Sequence, residues 1–346
     1  MHRDTGEIFA VKHYPAAAFG SPEETARRVR VESEILRVVG NHRNISDVVD
    51  VFGPGGGGSG DGGGAGGGGA GGGGGAGGGD AACDGAWIVM EMATGGELFD
   101  RLVDHGAYSE AQAAAIMREL VDAVAYCHAN GIVHFDLKPE NILLASPEAD
   151  DCDVRLVDFG SARSVASLAD ERAVARELLG SGPTVAYSAP EVLAGRGASA
   201  KADVFSLGVI LHLLLFGAHP FDPGNDADND EVERRILAGA APAAAGVPPP
   251  AAGDDWRADA LLTRPLVAAA GVSPEARALL RRCLDADVDA RPSAAEVLAD
   301  AWLATPLSHA PLASGAVDAN LRRFHRGRRM LKALVLAVMV LSLIHI

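Results

Sequence analysis

A carboxylate, an ammonium group and an amide crowd together in His134-Phe135-Asp136-Leu137-Lys138-Pro139-Glu140-Asn141. Asp136 can take a proton from a hydroxyl, Lys138 can stand beside an anion, and Asn141 offers a neutral oxygen to a hard cation. Further along, Asp158-Phe159-Gly160 follows a strand-like run, and Ala189-Pro190-Glu191 comes after it. The carboxylate of Asp158 is the kind of hard oxygen ligand that magnesium prefers. Much earlier, Ala10-Val11-Lys12 reads as part of a strand, and a lysine there can pair with the α- and β-phosphates of a nucleotide. Glu32 on the helical stretch that follows is the candidate partner for Lys12. It is preferred over Glu34 because it precedes Leu36 by four residues and so shares its helix face. Each signal alone is weak, since most strand lysines and helix glutamates are simply solvated. Their order along the chain makes them informative.

The elements that must position these residues follow from periodicity. Glu7 to Lys12 alternates and predicts a strand, and Pro22 to Val39 spaces Val29, Ile35, Leu36 and Val39 as an amphipathic helix does. Asn44 to Phe52 reads as a second strand and Trp87 to Met92 as a buried third. Between them, Gly53 to Gly79 is almost all glycine, which cannot bury apolar surface and loses much backbone entropy on ordering. It reads as a flexible insertion, too long and without the register a phosphate-cradling loop needs. Helices then dominate. Ser109 to Asn130 carries a serine cap, and Lys201 to Phe216 is apolar enough to be a central buried helix. Asn141 to Leu144 and Val154 to Val157 are short strands, and Ala227 to Gly271 reads as surface insertions. The expected class is α+β: a small strand-rich lobe over 1–92 with the glycine-rich insertion at 53–80, a large helical lobe over 93–307, and a tail over 308–346.

Composition narrows the field. The 346 residues are 48% hydrophobic, enough for a real core, and the net charge of −16 argues against nucleic acid or an anionic membrane as a partner while suiting basic ones. Cys83, Cys127, Cys152 and Cys283 lack metal or disulfide spacing and read as reduced thiols of a cytoplasmic or nuclear protein. No signal peptide opens the sequence. The apolar run Leu331 to Ile346 falls short of the ~20 residues a spanning helix requires, so no transmembrane segment is expected.

Taken together, these motifs resemble the serine/threonine protein kinase catalytic domain, and nearly the whole chain takes part, roughly Thr5 to Val340. The resemblance implies the two-lobed kinase fold, with ATP and Mg2+ as cofactors and protein Ser/Thr hydroxyls as acceptors. It makes Asp136 the catalytic carboxylate and Lys138 the cation near the γ-phosphate, with Asn141 and Asp158 as magnesium ligands. A lysine two residues after the aspartate is the serine/threonine form of this loop. Lys12 and Glu32 become the phosphate-holding pair, Met90 the gatekeeper, and Glu91 and Met92 the hinge that hydrogen-bonds adenine. Thr184 matches the threonine that bonds the catalytic aspartate and lysine, Glu191 and Arg291 a buried ion pair, and Asp203 the anchor of the catalytic loop. Leu36, His134 and Phe159 match a hydrophobic stack. Glu97 and Glu140 match acidic positions that grip arginine upstream of the acceptor in kinases with basic substrates.

Three features depart from that pattern or extend it. The family's glycine-rich loop precedes the lysine strand, and the sequence before Lys12 is too short to hold it. The chain therefore reads either as an N-terminally incomplete kinase, which the intact downstream set favours, or as a degenerate one, a binding scaffold of the pseudokinase kind. Weak ATP binding and low or absent transfer are expected of the chain as written. Phe135 stands where most kinases have an arginine that pairs with a phosphate on the activation loop, so control by phosphorylation of 161–188, at Ser164, Ser167 or Ser181, is not expected through that residue. Finally, residues 320–340 resemble the calmodulin-binding segment of calcium/calmodulin-dependent kinases, with Phe324, Leu331, Leu334 and Val338 on one helix face and basic residues beside them. A peripheral membrane helix and an ordinary terminal helix packed on the large lobe stay open as alternatives.

Overall fold

The computed structural model describes residues 7–16, 18–53, 85–105, 108–147, 152–180, 184–225, 227–238, 271–304, 317–324 and 326. They fall into two compact units, one comprising Met1–Asn41 and Ser46–Met92, the other His42–Ile45 and Ala93–Ile346. Most of the glycine-rich insertion, Ser181, Leu331, Leu334 and Val338 lie outside the described residues.

In the first unit, strands β1 (Phe9–Tyr14), β2 (Val48–Phe52) and β3 (Ala86–Glu91) form an antiparallel sheet in the order β1-β3-β2. The register sets Lys12 opposite Ile88 and Ala10 opposite Met90. Helix α1 (Pro22–Val39) begins where its capping chemistry dictates: the Ser21 side chain accepts from the Glu24 amide, Pro22 opens the first turn, and Glu23 and Glu24 suit the positive end of the dipole. Val29, Leu36 and Val39 are buried on one stripe, and Glu32 is buried with them.

Strand β2 starts later than its alternation predicts. Residues His42–Ile45 fold instead with the second unit, where the buried Asn44 donates through Nδ2 to the Val154 carbonyl at 2.9 Å and accepts from the Leu156 amide at 2.7 Å. Ile45 bridges Leu156 in parallel. A tertiary partner here outcompetes the local strand propensity.

The second unit is built on helix α6 (Lys201–Phe216), buried at every position after Lys201 and therefore without a polar face. Around it lie α2 (Leu98–His105), α3 (Glu110–Ala129), α4 (Glu171–Gly180), α5 (Pro190–Leu193), α7 (Asn229–Leu237) and α8 (Pro274–Cys283). Helix α3 opens with a reciprocal capping box between Ser109 and Gln112. Gly208 lets α6 and α8 approach closely, since a Cβ there would stand 2.9 Å from Cys283 Cβ. Two helices were not singled out in the sequence: α4 between the Asp158 motif and Thr184, and α7 at the start of the expected surface insertion. Both are short, and each buries one apolar edge, Val174, Ala175 and Leu178 in α4 and Val232 and Ile236 in α7.

Helix α6 stops at Gly217, whose φ of 66° is the left-handed cap that glycine adopts without strain. Residues 317–324 form a helix seated on that cap. Val317, Leu321 and Phe324 are buried, the Asn320 amide donates to the Phe216 carbonyl at 3.3 Å, and the Phe324 ring meets Phe99 edge-on at 6.4 Å. Phe324 is thus packed into the second unit and not displayed on an open helix face. Among the described residues, no helix is long and apolar enough to cross a membrane.

Candidate active site

Short strands of the second unit set the geometry. Strand β4 (Ile132–Val133) delivers the chain to His134, a 3-10 turn covers Pro139–Asn141, and strand β5 (Ile142–Leu144) pairs antiparallel with β6 (Val154–Leu156). Ile142 lies opposite Leu156, and the Val157 amide donates to the Asn141 carbonyl at 3.0 Å. This ladder brings Asn141 and Asp158 to the same end of the β5–β6 pair.

Asp136 is the hub. Its Oδ2 accepts from Lys138 Nζ at 2.6 Å and its Oδ1 from the Thr184 hydroxyl at 3.1 Å, while the same Nζ reaches Thr184 Oγ1 at 3.0 Å. Asn141 Nδ2 donates to the Asp136 carbonyl at 2.8 Å, and the acceptor there requires the amide nitrogen on that side. The amide oxygen is left as the atom a cation would use. Asp136 and Lys138 stay partly exposed, at 17% and 20%. A carboxylate so placed is oriented by its neighbours yet reachable by a hydroxyl.

The loop is held from below by Asp203 on α6, which is fully buried. Its Oδ1 accepts from the Phe135 amide at 2.8 Å, and its Oδ2 from the His134 amide at 2.9 Å and His128 Nε2 at 2.8 Å. Burial pushes this carboxyl up, yet the His128 hydrogen bond and charge, together with His134, outweigh it and hold the carboxyl below the ordinary range. Phe135 has φ 61°, in the left-handed region that costs a bulky residue roughly 1–2 kcal/mol. The Asp203 acceptor offsets that cost. Asp158 also sits at positive φ, 62°, and its Oδ1 accepts from the Gly160 amide at 3.2 Å. The His134 and Phe159 rings meet within this unit at a tilt of 60°, with centroids 4.7 Å apart. Leu36, their expected companion, is buried in the first.

The donor set fits magnesium. Among the described residues, no three His, Cys, Asp or Glu side chains gather to hold a metal unaided. Two oxygen-bearing side chains, Asn141 and Asp158, would suit an ion that arrives with phosphate oxygens of its own.

In the first unit, Lys12 Nζ and Glu32 Oε1 are 2.8 Å apart, with Glu32 only 4% exposed. Met90 lies in β3 between Ala10 and Val48, and Glu91 donates its amide to the Asp47 carbonyl at 2.9 Å. Met92 is 42% exposed. In the second unit, the Glu97 backbone bridges Leu143, close in sequence to Glu140. Glu191 and Arg291 form a doubly bonded pair at 2.8 and 3.0 Å.

The description of a protein kinase domain matches residues 1–303. The chain belongs to the protein kinase domain family. Relatives of this kinase domain include calcium-dependent protein kinase 21 of Oryza sativa subsp. japonica, 39% identical over 71% of this chain and 38% of that protein. Calcium/calmodulin-dependent protein kinase cmkB of Emericella nidulans is 31% identical over 88% of this chain and 61% of its own length. Calcium/calmodulin-dependent protein kinase type IV of Homo sapiens is 43% identical over 43% of this chain and 30% of its own. The chain thus spans less than two thirds of the length of each of these relatives.

Four residues in three arrangements escaped the sequence reading. His128 stands in the last turn of α3, and a basic residue there, just ahead of the catalytic loop, was the only hint. The ion pair of Arg163 with Glu177 at 2.9 Å depended on recognising α4. Tyr14, two residues beyond Lys12 on a strand, must share its face, and that period-2 signal was available.

Proposed function

We propose that this chain is the catalytic domain of a serine/threonine protein kinase that moves the γ-phosphoryl group of ATP onto hydroxyls of protein substrates. The observation that carries the reading is the Asp136–Lys138–Thr184 triangle with Asn141 bonded to the Asp136 backbone. Asp136 orients the acceptor hydroxyl and takes its proton, and Lys138 stands by the transferred phosphate. Thr184 fixes both side chains. Asn141 and Asp158 hold Mg2+, which when bound offsets the negative charge of the phosphates. Lys12, held by Glu32, binds the α- and β-phosphates, and the chain at Met90, Glu91 and Met92 binds adenine. Glu97 and Glu140 favour basic substrates, in keeping with the net charge of −16.

The names of the relatives support regulation by calcium, and we place calmodulin recognition in residues 320–340. Retention on immobilised calmodulin in calcium but not in chelator tests that part. For transfer, the chain is assayed as it stands and with the glycine-loop strands of a relative joined ahead of Met1. Magnesium-dependent labelling of a basic peptide from ATP is expected in the joined protein, and Asp136→Asn should lower it at least ~100-fold with nucleotide binding retained. Nucleotide binding with no transfer in either form would favour the scaffold reading instead.

A further inference from the structure

A buried carboxylate has two oxygens to satisfy, and leaving one without a partner is costly. Glu32 Oε1 is taken by Lys12, and Glu32 Oε2 accepts a hydrogen bond from the Tyr14 hydroxyl. The strand explains how one residue type reaches the same carboxylate as its neighbour. Successive side chains alternate along β1, so Ala10, Lys12 and Tyr14 share the half-buried face while Val11 and His13 are exposed. The tyrosine touches the other partner too: Lys12 Nζ lies 5.0 Å from its ring centroid. Phe19 braces the ring at 5.8 Å.

We propose that Tyr14 is a positioning residue for the phosphate-binding lysine, locking Glu32 against Lys12 from the side the lysine does not cover. The proposal rests on the kinase reading of Lys12 and deepens it. A lysine–glutamate pair alone can open when the carboxylate rotates toward water, which frees the ammonium from its place. With Tyr14 donating to the second oxygen, opening breaks two charge-assisted bonds at once. Burial first, and the Glu32 carboxylate second, hold the Tyr14 phenol above its ordinary range, so it remains a donor throughout the working pH range.

Tyr14→Phe removes only the hydroxyl and keeps the ring against Lys12 and Phe19. The readout is acylation of Lys12 by an ATP acyl-phosphate probe, quantified by mass spectrometry relative to Lys201 in the same sample. Wild-type labelling that an excess of ATP suppresses, falling about tenfold in Y14F with Lys201 unchanged, supports the proposal. Glu32→Gln approaches the same lock from the carboxylate side and should give a similar fall, and Y14F added to E32Q should then cost little more. Equal labelling of wild type and Y14F overturns the proposal, even if Y14F melts at a lower temperature, because a purely structural role would behave that way. Independent, multiplying losses in the double variant overturn it as well. If wild-type Lys12 shows no ATP-suppressible labelling, the nucleotide reading of Lys12 itself fails and takes this inference with it.

Discussion

A guanidinium with no access to water needs partners around its whole edge, and each of the three nitrogens of Arg291 has one. It is 0% exposed and reaches both Glu191 oxygens, the Asp285 carbonyl at 2.9 Å and the Lys201 carbonyl at 2.7 Å. Its charge also lies 5.2 Å from the centre of the Phe205 ring. Glu191→Gln leaves that cation buried without its counter-charge, and the expected loss is about 3–5 kcal/mol, read as a lower urea midpoint. Glu24→Gln, on a partly exposed carboxylate bonded to Arg27 and Arg28, should leave the midpoint where it is. Both members of the buried pair could be named from the sequence only because motif order placed them. Nothing in composition distinguishes Arg291 from a solvated arginine. The same holds for Asp203, whose three acceptor bonds exist only once α6 lies beneath the loop at His134 and Phe135.

At the scale of elements, the legible ones carried their own start signals. Ser21 with Pro22 and Ser109 with Gln112 announce α1 and α3, and the predominantly apolar stretch of Lys201 to Phe216 announces α6. Helices α4 and α7 were hidden because ten residues or fewer give too little periodicity to stand out from irregular chain, and β2 was shortened by a partner distant in sequence. Chain endings are equally specific. Gly217 both closes α6 in the left-handed region and makes room for 317–324, since a Cβ there would lie 2.5 Å from the Val317 carbonyl and 2.8 Å from Leu321 Cγ. Gly217→Ala should therefore cost about 1–2 kcal/mol in backbone strain plus the displacement of that helix. Gly131, at φ 71° with nothing near its missing Cβ, supplies the control. Gly131→Ala should show the strain alone. Thermal melts measure the first difference, and protease cutting near residue 320 measures the second.

For the molecule as a whole, acid sensitivity has an identifiable origin. His219 is buried and neutral: its Nε2 donates to the Ala186 carbonyl at 2.8 Å, and its Nδ1 accepts from the Phe221 amide at 3.2 Å. Burial lowers its pKa from 6.5 to about 4, against the opposing pull of the Ala186 bond. The unfolded chain therefore binds the proton first as pH drops. The contribution of this site is complete above pH 6.5 and is lost as pH falls toward 4, by up to about 3 kcal/mol. Melting temperatures across that window should decline in the wild type and stay flatter in His219→Gln. Asp203, held below 3.8, adds its own loss only at still lower pH.

The seat of residues 317–324 has a consequence for any visitor to the tail. Lifting Leu321 and Phe324 out of their places re-exposes two large apolar side chains, at about 1.5–3 kcal/mol each. A ligand needing those side chains must supply that energy from its own contacts, so its apparent grip on the folded protein is roughly a hundredfold to ten-thousandfold looser than on the excised peptide. A nanomolar peptide binder would become a micromolar one. Occupancy then follows the visitor's concentration against a threshold that the enzyme's own packing sets.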